Sequence, residues 1–177
     1  MDRTVVIYKG KYGATEQYAR WIAEELQCDM VDADHFLRKD FDKYDNIIYG
    51  GALQAGGIKG FDLIKKNRMK ILTKKVVIFA VGLNTDNKDN RIQVREINFD
   101  KMELAGMTLY YCKGAIDPAR VKGMDKAILG LTLKMLDKKP KHEWTEDEQR
   151  LYRDMTEGAD YVDRAYIEPI VAEFRTN

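Results

Sequence analysis

Lys9-Gly10-Lys11-Tyr12-Gly13-Ala14-Thr15-Glu16 is the string in this chain best suited to chemistry. It follows an apolar run from Thr4 to Tyr8 and leads into a helix-patterned stretch from about Thr15 to Leu26. A loop that presents backbone N–H groups at the start of a helix binds anions, because those donors have no intrahelical partner and the helix dipole favours negative charge there. A phosphate group fits. Thr15 is expected either to add a hydroxyl donor or to act as a plain N-cap, and Lys9 or Lys11 to add a counter-charge.

Other phosphate-handling patterns fit less well. A Walker A loop needs Gly, four residues and Gly-Lys-Ser/Thr, and that string is absent, which excludes nucleoside triphosphate hydrolysis of that kind. Gly10 and Gly13 supply only part of a dinucleotide fingerprint, although Asp32 or Asp34 could serve as its acid. Response-regulator receivers need acids where this chain has Lys9-Gly10 and Gly50-Gly51; Lys113 alone matches them. His35 and His142 stand apart, and Cys28 and Cys112 form no closely spaced pair, so no metal site is expected.

The elements that would position the loop read as a parallel α/β sheet. Short β-branched runs recur at Thr4–Tyr8, Cys28–Val31, Asn46–Tyr49, Val76–Val81 and Thr108–Cys112, with helix-sized segments between most of them. Helices are expected over Thr15–Leu26, Lys59–Leu72, Arg91–Leu104 and Met124–Leu136, with a loop or short helix over Asp32–Asp45. The stripe Met124, Ala127, Ile128, Leu131, Met135 and Leu136 predicts a helix facing the core. Beyond it, Thr145 and Glu148 form a capping signature, followed by helices over Glu146–Met155 and Ala159–Phe174, the second kinked or restarted at Pro169.

Right-handed crossovers place the strands of such a doubly wound sheet in the order 2-1-3-4-5. The reading is one domain over 1–177, with a core over 4–136 and a helical extension over 137–177. Of 13 glycines, nine (Gly10, Gly13, Gly50, Gly51, Gly56, Gly57, Gly60, Gly82 and Gly114) fall just past the expected carboxyl ends of strands one, three, four and five. Ligands bind at that edge in this architecture, and glycine there allows close backbone approach or serves as a plain turn residue.

Composition narrows the function. The 177 residues are 45% hydrophobic and 33% charged, enough apolar material for a core. Thirty Lys and Arg against 29 Asp and Glu leave a net charge of +1, which argues against a nucleic-acid partner. Neither a secretory signal nor a run of roughly 18 apolar residues is visible, so a soluble cytoplasmic protein with reduced thiols is expected.

Three strings carry a resemblance: the Gly-Lys-Tyr-Gly-Ala-Thr-Glu loop, Ile-Ile-Tyr-Gly-Gly-Ala after strand three, and Phe-Ala-Val-Gly-Leu-Asn ending strand four. With these the chain resembles a flavodoxin-family FMN-binding domain, over roughly Thr4 to Leu136. The helix at Phe61–Lys66, the string Lys113-Gly114-Ala115-Ile116 and the basic helix ending near Lys138-Lys139 make it similar to the branch that includes menaquinone-dependent protoporphyrinogen oxidase.

The resemblance implies that Lys9, Gly10, Lys11, Tyr12, Gly13, Ala14 and Thr15 surround the FMN phosphate. Ala52, Leu53, Gln54, Ala55 and Gly56 would line one side of the flavin, and Gly82, Leu83 and Asn84 the other. It further implies a flavin-dependent oxidoreductase or electron carrier whose partner is a protein or a small organic acceptor, a quinone or porphyrinogen among them. The segment Asp117–His142, rich in Lys and Arg, is expected to wall a substrate pocket, to make peripheral contact with a membrane surface, or to cover the sheet with its basic face in water. Lys9 and Gly10 stand where flavodoxins usually place hydroxyls, and Ala55 and Asn84 where many stack an aromatic ring. Those departures motivate the rival reading, a flavodoxin-fold binding or structural module that has lost its cofactor.

Overall fold

A computed structural model describes residues 2–100 and 106–175. Its centre is a parallel sheet of β1 (Thr4–Lys9), β2 (Asp29–Asp32), β3 (Asn46–Gln54), β5 (Lys75–Gly82) and β6 (Met107–Lys113), in the order β2-β1-β3-β5-β6. This is the expected doubly wound order. A short β4 (Gly57–Ile58) folds back antiparallel on β3.

The strands read as nearly continuous apolar runs because both faces of the sheet are buried. Val5, Ile7, Ile47, Tyr49, Val76, Ile78 and Ala80 point to one side. They meet Phe36, Phe41, Phe61, Ile64, Ile71, Val94 and Phe99. Those partners come from the 3-10 turn at Arg38–Lys43, from α2 (Asp62–Lys66) and α3 (Arg68–Ile71), from α4 (Lys88–Asn98), and from the segments flanking them. The alternate residues Val6, Ile48, Val77, Phe79, Val81 and Cys112 meet the other layer. That layer is α1 (Ala14–Leu26), contributing Tyr18, Ala19 and Ile22, and the C-terminal segment with α7 (Glu168–Ala172), contributing Ile167, Ile170 and Val171. Burial pushes the Cys112 thiol up to about 12, so it packs as a small hydrophobe.

Several expectations shift. The glycines Gly50 and Gly51 lie inside β3 rather than in a loop after it, because parallel pairing with β5 continues to Ala52 and Val81; Gly82 likewise ends β5 from within. The segment read as one helix over Lys59–Leu72 is two short ones, α2 and α3, that meet at Asn67. Helix α4 stops at Asn98, and the expected continuation over 101–104 lies outside the described residues.

The largest differences come after β6. Helix α5 (Gly123–Asp137) forms, but it does not face the core: none of its residues is buried, and Met124, Leu131 and Met135 are exposed. Both sheet faces are already covered. Helix α6 (Glu146–Glu157) begins with the expected capping box, Thr145 Oγ1 accepting from the Glu148 backbone N–H at 3.2 Å while the Glu148 carboxylate accepts from the Thr145 N–H at 2.7 Å. The single helix expected over Ala159–Phe174 is replaced by β8 (Ala159–Asp160) paired to β7 (Ala115–Ile116), a 3-10 turn at Arg164–Ile167, and α7, which carries Pro169 in its first turn. Gly158, at φ 92°, ends α6 and redirects the chain. No helix among the described residues is long and apolar enough to cross a membrane.

Candidate functional site

The sheet order reverses direction between β1 and β3, so the segments that leave their carboxyl ends diverge and open a crevice, where open α/β sheets bind ligands. The first wall is the loop from Gly10 to Gly13. Gly13 adopts φ 103° and is the N-cap of α1, supplying no side-chain cap. Thr15 is therefore not the N-cap; it is the second residue of the helix and only 2% exposed. A Cβ at Gly10 would come within 3.0 Å of the Thr15 Cβ, so glycine lets the loop lie directly on the helix start.

This loop keeps its donors unspent. The backbone N–H groups of Lys11 through Glu16 donate to no backbone or side-chain acceptor among the described residues, and the first intrahelical bond is Gln17 N–H to Gly13 O at 2.9 Å. The Thr15 hydroxyl also has no hydrogen-bond partner among the described residues, although its residue is buried. Donors converging at a helix N-terminus beside the unpaired hydroxyl of an otherwise buried residue make an anion cradle.

Neither lysine is free to be the simple counter-charge expected from the sequence. Lys9 ends β1, and its Nζ donates to Asp34 and, at 3.4 Å, to Asp32, both beyond or at the end of β2. Its hydrogen bond to Asp34 raises its pKa above the ordinary lysine value. Lys11 Nζ donates to Asp125 Oδ2 at 2.6 Å, and the Tyr12 hydroxyl donates to the same oxygen at 2.6 Å.

Asp125 belongs to the first turn of α5, and its other oxygen accepts from Gln54 Nε2 at the end of β3. One carboxylate thus spans the mouth of the crevice from loop to strand. The Lys11 bond first, then the Tyr12 bond, hold its carboxyl below the usual carboxylate range. Sequence reading missed Asp125, because its partners lie 71 to 114 residues away and leave no local signature.

The second wall is the hairpin of Ala52, Leu53 and Gln54 on β3 with Gly57 and Ile58 on β4. Its two turn residues, Ala55 at φ 49° and Gly56 at φ 82°, both take the left-handed conformation that a tight hairpin turn requires. Asn98, buried at the end of α4, pins it: its Oδ1 accepts from Ile58 N–H at 2.7 Å and its Nδ2 donates to Gly56 O at 2.7 Å. An Asn one turn after the buried Val94 was the available clue, a polar residue on a core-facing stripe.

The third wall is Gly82, Leu83 and Asn84. A Cβ at Gly82 would come within 3.0 Å of Leu53 Cδ1, so the hairpin and this wall touch. Asn84 does not point freely into the crevice, since its Oδ1 accepts from Arg150 of α6 at 3.1 Å. Arg150 also donates to Asp86 at 3.0 Å, and Asp86 pairs with the buried Lys113 at 3.0 Å. Partial burial pushes the Asp86 carboxyl up, but Lys113 leads the opposing effects and leaves it below its ordinary value. Lys113 lies over the Tyr161 ring at 4.4 Å, which ties the end of β6 to the C-terminal segment. The structure thus brings the three predicted clusters to one edge of the sheet, with Asp125, Asn98, Asp86 and Arg150 as positioning residues that periodicity alone does not reveal.

Among solved structures, the chain is similar to a short-chain flavodoxin associated with a non-canonical PDU bacterial microcompartment, at 17% identity and a TM-score of 0.47, covering 88% of this chain and 95% of that one. It is also similar to oxidised flavodoxin 2 from Bacillus cereus, at 15% identity and a TM-score of 0.45, covering 86% and 94%. A flavoprotein from Lactobacillus acidophilus in complex with FMN aligns at 16% identity with a TM-score of 0.41, covering 64% and 93%. No curated protein matches the sequence. The model of the flavodoxin domain family matches residues 5–143, most of the chain and all three walls of the crevice, and the chain belongs to that family.

Proposed function

We propose that this chain binds FMN in the crevice and works as a flavodoxin-like redox protein, passing electrons between a donor and a small organic or protein acceptor. The observation that carries the reading is the anion cradle: unspent N–H groups from Lys11 to Glu16 around the unpaired hydroxyl of the buried residue Thr15. The residues present fit a phosphate monoester there. When bound, FMN supplies the ring that accepts and releases electrons, while the protein orients it and sets its electrostatics.

On this reading the loop from Gly10 to Thr15 holds the phosphate. Ala52 to Gly56 and Gly82 to Asn84 supply the two sides of the ring site, with the small residues Ala55 and Gly56 leaving one side open to a partner. The Asn98 and Arg150 contacts keep these walls in place. Two free cysteines suit a reducing cytoplasmic setting.

Titrating the protein with FMN while following flavin fluorescence tests the reading. Saturable quenching with a dissociation constant in the micromolar range or below is expected, and no binding at about 100 μM FMN would favour a cofactor-free module. The finer reading, oxidation of a carboxylate-bearing substrate in the manner of menaquinone-dependent protoporphyrinogen oxidase, draws support from the basic residues that flank helix α5, Arg120, Lys122, Lys138 and Lys141, on a helix held to the cofactor loop through Asp125. Quinone-dependent loss of protoporphyrinogen fluorescence checks it.

Asp125 gives a second test. Its carboxylate sits beside the phosphate cradle and occupies Lys11, so it repels a bound phosphate and competes for the lysine. Asp125→Asn is expected to tighten FMN binding about five- to tenfold at low ionic strength, the effect of one partly screened charge. The gain should shrink in 0.5 M salt. Weaker binding in the variant would instead make Asp125 a support for the loop.

A further inference from the structure

We propose that the groove between α4 and β6 docks an acidic, extended segment of a partner protein, which adds as a further strand to the free edge of the sheet. This goes beyond the flavin reading and does not depend on it. Strand β6 ends the sheet order, and among the described residues the backbone hydrogen bonds of Thr108 to Tyr111 all run to β5. From Met107 to Cys112 the strand carries no charge and no proline, and its register with β5 is unbroken. An edge of that kind is a template for another strand. The opposite edge is protected, since β2 is only four residues long and begins and ends with aspartate.

The groove beside that edge selects for negative charge. Helix α4 lines it with Lys88, Arg91, Ile92 and Arg95, and β6 with Leu109 and Tyr111. The three cations, spaced three and four residues apart, share one face of the helix. None of them forms an ion pair among the described residues, and no described acid lines the groove; Asp89 and Glu96 of the same helix lie outside it. Arg91 is already held in place. Its Cζ lies 4.9 Å from the centre of the Tyr111 ring and its Nε donates to Thr85 O at 2.6 Å, while its two terminal nitrogens have no partner among the described residues. The Tyr111 hydroxyl donates to Arg91 O at 3.1 Å, which fixes the ring beneath the guanidinium. A guanidinium positioned in this way loses little freedom when it takes a carboxylate.

The edge and the charge together identify the occupant. An extended segment spends its main-chain N–H and C=O groups on β6, and its alternate side chains fall on the α4 side, where carboxylates meet Lys88, Arg91 and Arg95. The Tyr110 side chain turns to the other face and donates to Glu173 at 2.9 Å, so Tyr110 meets the groove through its main chain. A second copy of this chain fits less well. Antiparallel pairing of β6 with its own copy keeps both α4 helices on one face of the continued sheet and turns their like charges toward each other.

The experiment is fluorescence anisotropy of a fluorescein-labelled peptide of four Thr-Glu repeats, titrated with the full chain. Saturable binding is expected, about tenfold or more tighter than for a peptide of four Thr-Lys repeats, and weakened in about 0.5 M salt. The double substitution Lys88→Gln and Arg95→Gln, at two exposed sites, should weaken it about tenfold or more while leaving the circular dichroism and FMN affinity unchanged. In saturating peptide, hydrogen exchange of the outward-facing amides within Thr108–Tyr111 should slow about tenfold or more. No binding at about 1 mM peptide, equal binding of the two peptides, or full binding by the double variant would overturn the proposal. Binding without slowed exchange would leave an anion site and no added strand, and a concentration-dependent dimer that protects the same amides without peptide would assign the edge to a second copy; either result overturns it too. FMN binding is read separately, so either reading can fail alone.

Discussion

Replacing Gly50 by alanine is expected to destabilise the fold by about 3 kcal/mol or more, at the upper end of what overpacking a core costs. Gly50 lies in the middle of the sheet, paired to Tyr8 of β1 on one side and to Phe79 of β5 on the other. The Phe79 ring folds over it and fills the space a side chain would take. A Cβ there would stand 1.9 Å from Phe79 Cζ and within 2.5 Å of two further ring carbons. The ring has no exit, since Phe79 is fully buried against the α1 layer.

A double-mutant cycle separates this clash from any loss of strand propensity. Phe79→Ala alone should cost about 3–5 kcal/mol through the cavity it leaves. In the Phe79→Ala background, Gly50→Ala should cost far less than it does in the parent, because the added methyl enters that cavity. Urea midpoints at constant m-value provide the measurement. Strictly additive losses would mean that the glycine serves the backbone and not the ring.

The same pair shows what the sequence makes legible. Uninterrupted apolar runs such as Val5-Val6-Ile7, Ile47-Ile48-Tyr49 and Val76 through Val81 identify strands buried on both faces, and from that the parallel sheet and its order follow. The anion loop is legible for a similar reason, since glycines, a hydroxyl and a helix start lie within a few consecutive residues. Gly50 and Gly51 misled because glycine after an apolar run reads as a turn, whereas Phe79, paired to Gly50 on β5, supplies a ring that needs the gap, and Ile58 of β4 fills the space beside Gly51.

Helix α5 shows the opposite failure. Its stripe has the period of a core helix, and period alone cannot tell a face that meets protein from one that meets something else. The deciding fact is global: α1 and the C-terminal segment already cover one side of the sheet, and the 3-10 turn with α2, α3 and α4 covers the other. The C-terminal segment was misread in turn because Ala159 to Phe174 carries enough apolar residues for a helix, while Gly158 at φ 92° and the pairing of β8 with β7 break it into pieces. Asp125, Asn98 and Arg150 escaped because each acts on a loop distant in sequence, where only the folded chain brings donor and acceptor together.

Removing the Thr15 hydroxyl is expected to weaken FMN binding about 10- to 100-fold, the scale of one hydrogen bond to a charged group at about 1.5–3 kcal/mol. Thr15→Val makes the cleaner test because it keeps the shape of a side chain that is only 2% exposed and removes the donor alone. Thr15→Ser should retain most of the affinity. The hydroxyl has no competing partner among the described residues to be released from, so its hydrogen-bonding capacity is available to the ligand. Riboflavin, which has the same ring and no phosphate, supplies the control: its weaker binding should be indifferent to Thr15→Val. A parallel loss for both ligands would place the effect in the ring site or in the stability of α1. An unchanged FMN affinity would leave the backbone N–H groups from Lys11 to Glu16 as the sole phosphate donors and remove Thr15 from the site.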